Sequence, residues 1–173
     1  RLCRDWSSDV CSSDLHNPVS NKFLGEPTAN IAKMLERGMI VGLGTDGAAS
    51  NNRLSIFQEM KAAALDQKSL HRDPEIIKAE TILRMGTEYG ARIARFPVGR
   101  LENGFGADFI VIGLDDPALH PERHLTSHLV YALPDRAVKD VYIAGRPVLR
   151  DGRFTRIDAL ELQTKVEELT SSW

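Results

Sequence analysis

Apolar residues along this chain fall into short continuous runs and into stripes spaced by three and four, and the order in which the two alternate predicts the fold. In EPTANIAKMLERG, Ile31, Met34 and Leu35 mark one helical face, with Thr28 placed to cap its start and Gly38 to end it. MIVGLG, residues 39–44, is apolar throughout and too short for a helix, which predicts a strand buried on both faces as in a parallel sheet. A polar loop, TDGAASNN, follows. Asn51 or Asn52 is placed to cap a long helix whose stripe runs through Leu54, Phe57, Met60, Ala64 and Leu65. Helix, buried strand, polar loop and helix in this order make one turn of an α/β winding.

Asp73 and Pro74 offer an N-cap and a first-turn proline for a third helix carrying Ile76, Ile77, Ile82 and Leu83. TEYGARIARF extends the helical material to about Phe96, and Pro97 closes it. Beyond this the texture becomes β: a strand over 108–112, then strands over 138–143 and 147–149 joined by AGR as a hairpin. An amphipathic helix with Leu160, Leu162, Val166 and Leu169 on or near one face finishes the chain. The change of texture predicts a boundary near residue 96.

One stretch has no such pattern. DWSSDVCSSDL, residues 5–15, shows neither a helical stripe nor strand alternation and reads as a tail that makes no contacts with the rest. It holds Cys11, and Cys3 lies just before it, so the chain from His16 onward is free of cysteine and has neither a disulfide framework nor a Cys-based zinc site. A cytoplasmic protein is the expectation. Composition narrows the classes further. Of 173 residues 42% are hydrophobic and 27% charged, an ordinary globular balance, and no apolar run of membrane-spanning length occurs. With 22 basic and 24 acidic residues, nothing points to nucleic acid.

The strongest candidate for chemistry is Asp46, just past the apolar strand and flanked by Gly44 and Gly47. A carboxylate at the carboxyl end of a buried parallel strand stands where α/β folds place ligands, because the loops diverge there. The same Asp reads equally as a turn or capping residue. HNPVSN brings His16, Ser20 and Asn21 close together beside Pro18, where a structural histidine is the commoner reading. His120, His124 and His128 in HPERHLTSH invite a metal site, but Pro121 interrupts the spacing and no carboxylate stands in the HExxH position. Dinucleotide, P-loop and GxSxG motifs are absent from the sequence.

Taken in order, HNPVSN, VGLGTDGAASNN, LSIFQEMKAAAL, GRLENGFGADFIVI, SHLVYAL and VKDVYIAGRPVLRDGR resemble the C-terminal part of the metal-dependent amidohydrolase superfamily. The likeness runs from His16 to about Arg153 and is greatest to the branch of 5-methylthioadenosine/S-adenosylhomocysteine deaminases. It implies an α/β chain: a C-terminal fragment of a (β/α)8 TIM-like barrel, followed by part of a small composite β-sandwich domain and a C-terminal helix. On this reading residues 1–15 are a non-native artefact, since residues 4–15 resemble a translated sequencing adapter. Residues 16–96 are the last strands and helices of the barrel, and residues 97–173 are the composite β domain with its helix.

The resemblance also implies roles. Asp46 matches the carboxylate that the last barrel strand delivers to a divalent metal, zinc in most members, and that moves the proton between water and the leaving amine. His16 matches a position in the substrate pocket wall, outside the metal shell, and Ser50 and Asn51 match the loop after the metal Asp, where substrate contacts are expected. The implied partner is a small purine nucleoside, with no nucleic acid or membrane, in an enzyme that is a homo-oligomer at full length. The family's HxH pair, third metal His, acidic Glu and further catalytic His all fall upstream of His16, so the chain is expected to be an inactive fragment. Phe105 and Gly106 stand where the family commonly has Lys and a small residue. A guanine deaminase or chlorotriazine-type hydrolase is the alternative within enzymes, and a non-catalytic α/β binding module the alternative outside them.

Overall fold

The computed structural model describes residues 13–171. Its first half winds around two parallel strands, β1 (Ser13–His16) and β2 (Ile40–Leu43), paired from Ser13 opposite Ile40 to His16 opposite Leu43. Two short helices, α1 (Pro18–Phe23) and α2 (Ile31–Glu36), connect them. After β2 come α3 (Ile56–His71), α4 (Ala79–Arg84), a π-helical turn (Met85–Tyr89) and α5 (Gly90–Ala94). Val41 and Leu43 of the expected apolar strand are buried, together with Ile31, Met34, Met60, Ala63, Ala64, Ile82 and Met85. Gly42 is needed for this packing, because a Cβ there would lie 3.0 Å from Gly90 Cα and 2.9 Å from Leu15 Cδ2.

The helix starts differ from those the pattern predicts, each for a local reason. Asn30, not Thr28, caps α2, its side chain accepting from the Lys33 amide at 3.0 Å. Ser55, not Asn51 or Asn52, caps α3. Asp73 accepts from the Glu75 amide at 2.8 Å and so makes a turn, and the next helix begins only at Ala79. Helix α3 is also rotated from its expected stripe. It buries Glu59, Met60, Ala63, Ala64 and Gln67, while Leu65 remains exposed and Leu54 precedes the helix. Two polar side chains can occupy the buried face because both are satisfied. Gln67 bridges Ala29 O at 2.8 Å and the Ala32 amide at 3.2 Å.

The second half builds one antiparallel sheet in the order β3 (Phe109–Ile112), β4 (Val138–Ile143), β5 (Arg146–Arg150) and β6 (Arg153–Phe154). Ala144 and Gly145 both have positive φ (49° and 73°), which suits the tight turn joining β4 to β5. Phe109 and Tyr142 stack across β3 and β4 with ring centroids 4.5 Å apart. Among the described residues no second sheet faces this one, so the expected sandwich is represented by a single layer. Chain order and space part company at helix α6 (Leu125–Tyr131), whose Val130 joins the core of the first half despite lying beyond residue 96. The last helix, α7 (Ala159–Thr170), presents all its side chains to solvent.

The expectation that residues 1–15 stand apart needs a correction at its end. Residues 1–12 lie outside the described residues, but Ser13, Asp14 and Leu15 pair with Ile40, Val41 and Gly42. A parallel ladder is made by backbone N–H and C=O groups. Whatever side chains precede His16, the backbone can continue in line beside β2.

Candidate functional site

The carboxyl ends of β1 and β2 lie side by side, and the residues singled out for chemistry gather there. Gly44 extends the ladder by one bond, its amide donating to His16 O at 3.0 Å. A Cβ at Gly44 would meet Asn17 Oδ1 at 2.5 Å, so a side chain there would displace the Asn17 amide. The chain then turns at Asp46, in left-handed backbone (φ 58°) that Asp tolerates better than most residues.

The exposed Asp46 carboxylate is held by two hydroxyls. Ser20 Oγ lies 2.7 Å and Ser50 Oγ 3.0 Å from Asp46 Oδ2, and the hydroxyls are 2.8 Å from each other. Two hydroxyl protons serve this triangle of three contacts, which fixes Oδ2 in place. The Ser20 hydroxyl first, then the Gly47 amide and the Ser50 hydroxyl, keep the Asp46 carboxyl below the usual carboxylate range. His16 is 5% exposed, and burial first, with the Lys22 charge second, pushes its imidazole down to about 4. Its Nε2 is the one buried side-chain nitrogen or oxygen among the described residues without a hydrogen-bond partner.

Asn51 is fully buried, its Nδ2 donating to Thr45 O at 2.9 Å and to Glu59 Oε1 at 2.5 Å, and its Oδ1 accepting from the Arg53 amide at 3.2 Å. With its amide engaged by protein, Asn51 braces the loop that carries Asp46. Glu59 completes the brace, its Oε2 accepting from the Val19 amide at 3.0 Å. Burial pushes the Glu59 carboxyl up, against the lowering effect of the Val19 and Asn51 donors. Sequence reasoning noted Ser20 without assigning it a part and passed over Glu59. The available signal was a carboxylate four and eight residues before Ala63 and Gln67, on the inward face of α3.

An exposed, ionised carboxylate suits a divalent metal. Among the described residues no three His, Cys, Asp or Glu side chains come together as a metal-holding group. Asp46 therefore fits as one ligand of a larger set. His120, His124 and His128 do not form a site; His128 Nε2 is instead 3.0 Å from Pro121 O.

Paired parallel strands that present a carboxylate beyond their carboxyl ends, wrapped by helices and followed by an antiparallel sheet, place the chain in the α/β class, with its candidate site where such folds hold ligands. The chain belongs to the amidohydrolase family, whose model matches residues 4–148. It is 46% identical over 149 residues to a 5-methylthioadenosine/S-adenosylhomocysteine deaminase of Halalkalibacterium halodurans, covering 86% of this chain and 34% of that protein. It is 40% identical over 154 residues to a 5'-deoxyadenosine deaminase of Methanocaldococcus jannaschii, covering 89% of this chain and 36% of the relative. Among solved structures it superposes on an adenosine deaminase from Xanthomonas campestris with bound zinc, at a TM-score of 0.89 and 31% identity, over 92% of this chain and 37% of that one. A zinc-complexed atrazine chlorohydrolase from Arthrobacter aurescens matches at a TM-score of 0.83 and 25% identity, over 90% and 35% of the two chains. The chain thus spans about a third of the length of the relatives it matches.

Proposed function

We propose that this chain is the part of a zinc-dependent purine-nucleoside deaminase that presents the metal-binding and proton-moving carboxylate, Asp46. The observation that carries the reading is the Asp46 carboxylate beyond β2, with Oδ2 fixed by Ser20 and Ser50. When bound in such a site, a divalent metal lowers the pKa of water toward ~7. The Asp46 carboxylate would help hold the metal and would accept the proton and return it to the leaving amine. Ser20 and Ser50 stabilise the ionised form in which Asp46 both ligates and accepts. His16, buried and neutral, closes the wall beside it and keeps an open nitrogen for a hydrogen bond with substrate.

Sequence identities of 40% and 46% to deaminases of 5'-substituted adenosines, against 25% to a triazine hydrolase, support a nucleoside over a chlorotriazine. Family membership likewise favours catalysis over a binding module. The reading includes a cytoplasmic homo-oligomer at full length, in which the antiparallel sheet is part of a composite β domain. It also makes the present chain inactive alone, since one carboxylate does not complete a catalytic zinc site.

The test replaces the matching third of the Halalkalibacterium deaminase with residues 16–173 and follows ammonia release from methylthioadenosine, S-adenosylhomocysteine, 5'-deoxyadenosine and guanine. Nucleosides should be deaminated, and Asp46→Asn should lower kcat by at least about a hundredfold with little change in KM. Undiminished turnover in the Asn variant would remove Asp46 from the chemistry, and preference for guanine would overturn the substrate class.

A further inference from the structure

The Asp46 triangle joins side chains from two separate segments, α1 and the loop 45–51, and neither segment fixes the other through that triangle alone. A second connection lies beneath it. Glu59 is fully buried, yet each of its carboxylate oxygens is taken by a different segment: Oε2 by the Val19 amide of α1, Oε1 by Nδ2 of Asn51 at the loop's end. Asn51 passes the connection on to Thr45 O, one residue before Asp46. Val19 in turn is the neighbour of Ser20, whose hydroxyl reaches Asp46 Oδ2. The contacts close into a ring that runs from Asp46 through Ser20, Val19, Glu59, Asn51 and Thr45 back to Asp46.

A buried carboxylate is costly unless both oxygens accept hydrogen bonds, so its presence here calls for a function that an apolar residue cannot perform. Two donors converge on Glu59 from opposite segments. An amide at this position has one acceptor oxygen and one donor nitrogen, so glutamine can satisfy one segment and must face the other donor to donor. We propose that Glu59 is a positioning residue for Asp46: its carboxylate ties α1, which carries Ser20, to the loop 45–51, which carries Asp46 and Ser50, so that the carboxylate and the hydroxyls that orient it are held as one unit. The inference rests on the proposed role of Asp46 for its catalytic meaning, while the ring itself belongs to this chain.

The test therefore has two independent parts. In the present chain, Glu59→Gln should reduce the hydrogen-exchange protection of the Val19 amide and the Asn51 side-chain amide by at least about tenfold. NMR couplings should report one Asp46 χ1 rotamer in the unsubstituted chain and an average of rotamers in Glu59→Gln. Gln67→Ala, removing the other buried polar group on the same face of α3, serves as the control and should loosen Ala29–Ala32 while leaving Asp46 in one rotamer. In the deaminase carrying residues 16–173, Glu59→Gln should lower kcat at least about tenfold with KM nearly unchanged, and weaken zinc retention against a chelator. If Asp46 stays in one rotamer in Glu59→Gln, or is averaged equally by Gln67→Ala, the positioning role is wrong. Should Glu59→Gln fail to fold, the unsubstituted chain decides: a rapidly exchanging Val19 amide or Asn51 side chain would overturn the proposal, and slow exchange of both with one Asp46 rotamer would support it. An inactive chimaera with intact Glu59 would count against the deaminase reading and leave the ring to be judged on the exchange data.

Discussion

Ser20 Oγ stands 2.7 Å from Asp46 Oδ2, bringing together two residues 26 positions apart on different segments at the ends of neighbouring parallel strands. Of the groups that depress the Asp46 carboxyl, this hydroxyl acts most strongly. Ser20→Ala should therefore raise the Asp46 titration midpoint, and by more than Ser50→Ala does. Carboxyl-carbon NMR titration of the metal-free chain checks both the direction and the order. An unchanged midpoint in Ser20→Ala would mean that the hydroxyl does not engage the carboxylate in solution.

His16 should make stability fall as the solution is acidified. Its pKa is about 4 in the folded chain, against 6.5 ordinarily, so between these values the unfolded chain binds more protons than the native one. The stability is fully present above pH 6.5 and is lost as pH falls toward 4, a change of about 3 kcal/mol for a shift of this size. Glu59, whose carboxyl is raised, acts in the opposite sense, so the comparison is with His16→Gln rather than with zero slope. Urea unfolding of both proteins at pH 7, 5.5 and 4 should show the steeper loss in the unsubstituted chain.

Gly42→Ala should destabilise the fold by about 1–3 kcal/mol, the usual cost of overpacking. The new methyl would press on the Gly90 backbone at 3.0 Å as well as on side chains of Leu15 and Ile93, and backbone yields less readily than a flexible side-chain end. Chemical denaturation with an unchanged m-value is the expected result.

Zinc should wash out of the isolated chain. Asp46 is one ligand where a catalytic zinc site uses three from protein, and the described residues assemble no group of three. Metal analysis after dialysis should find far less than one equivalent, whereas the chimaeric deaminase should retain it. Stoichiometric zinc in the isolated chain would call for a different set of ligands.

Removing residues 158–173 should change stability by less than about 0.5 kcal/mol, as for most surface changes. Leu160, Leu162, Val166 and Leu169 are 50–74% exposed, so α7 buries little apolar area against the rest of the chain. Thermal melts of the two lengths provide the comparison.

Local pattern was enough to find β2, the β4–β5 hairpin and the position of Asp46. An unbroken apolar run of strand length can be buried on both faces only in a sheet, a two-residue turn needs residues that accept positive φ, and the end of such a strand is where a fold opens. Motif likeness carried the reading further, to a family that the match over residues 4–148 bears out. Helix starts were less legible, because Thr28, Asn52 and Asp73 have the right chemistry for caps and only the path of the backbone selects Asn30, Ser55 and a plain turn.

What the sequence by itself determined was thus β2 and the helices on either side of it, the later hairpin and last helix, and the place of Asp46; β1, α1 and α6 carried no pattern that revealed them. Which polar groups meet was decided by tertiary structure alone. Ser20 reaches Asp46, and Glu59 reaches Val19 across 40 positions, because α1 packs beside α3 at the ends of two parallel strands. Asn51 became a brace because burial placed it between Thr45 and Glu59, where its amide has no water to bind. Apolar periodicity encodes which face turns inward, through a free energy that is non-directional. Hydrogen bonds are directional and short, so their partners exist only once packing has set distances of about 3 Å.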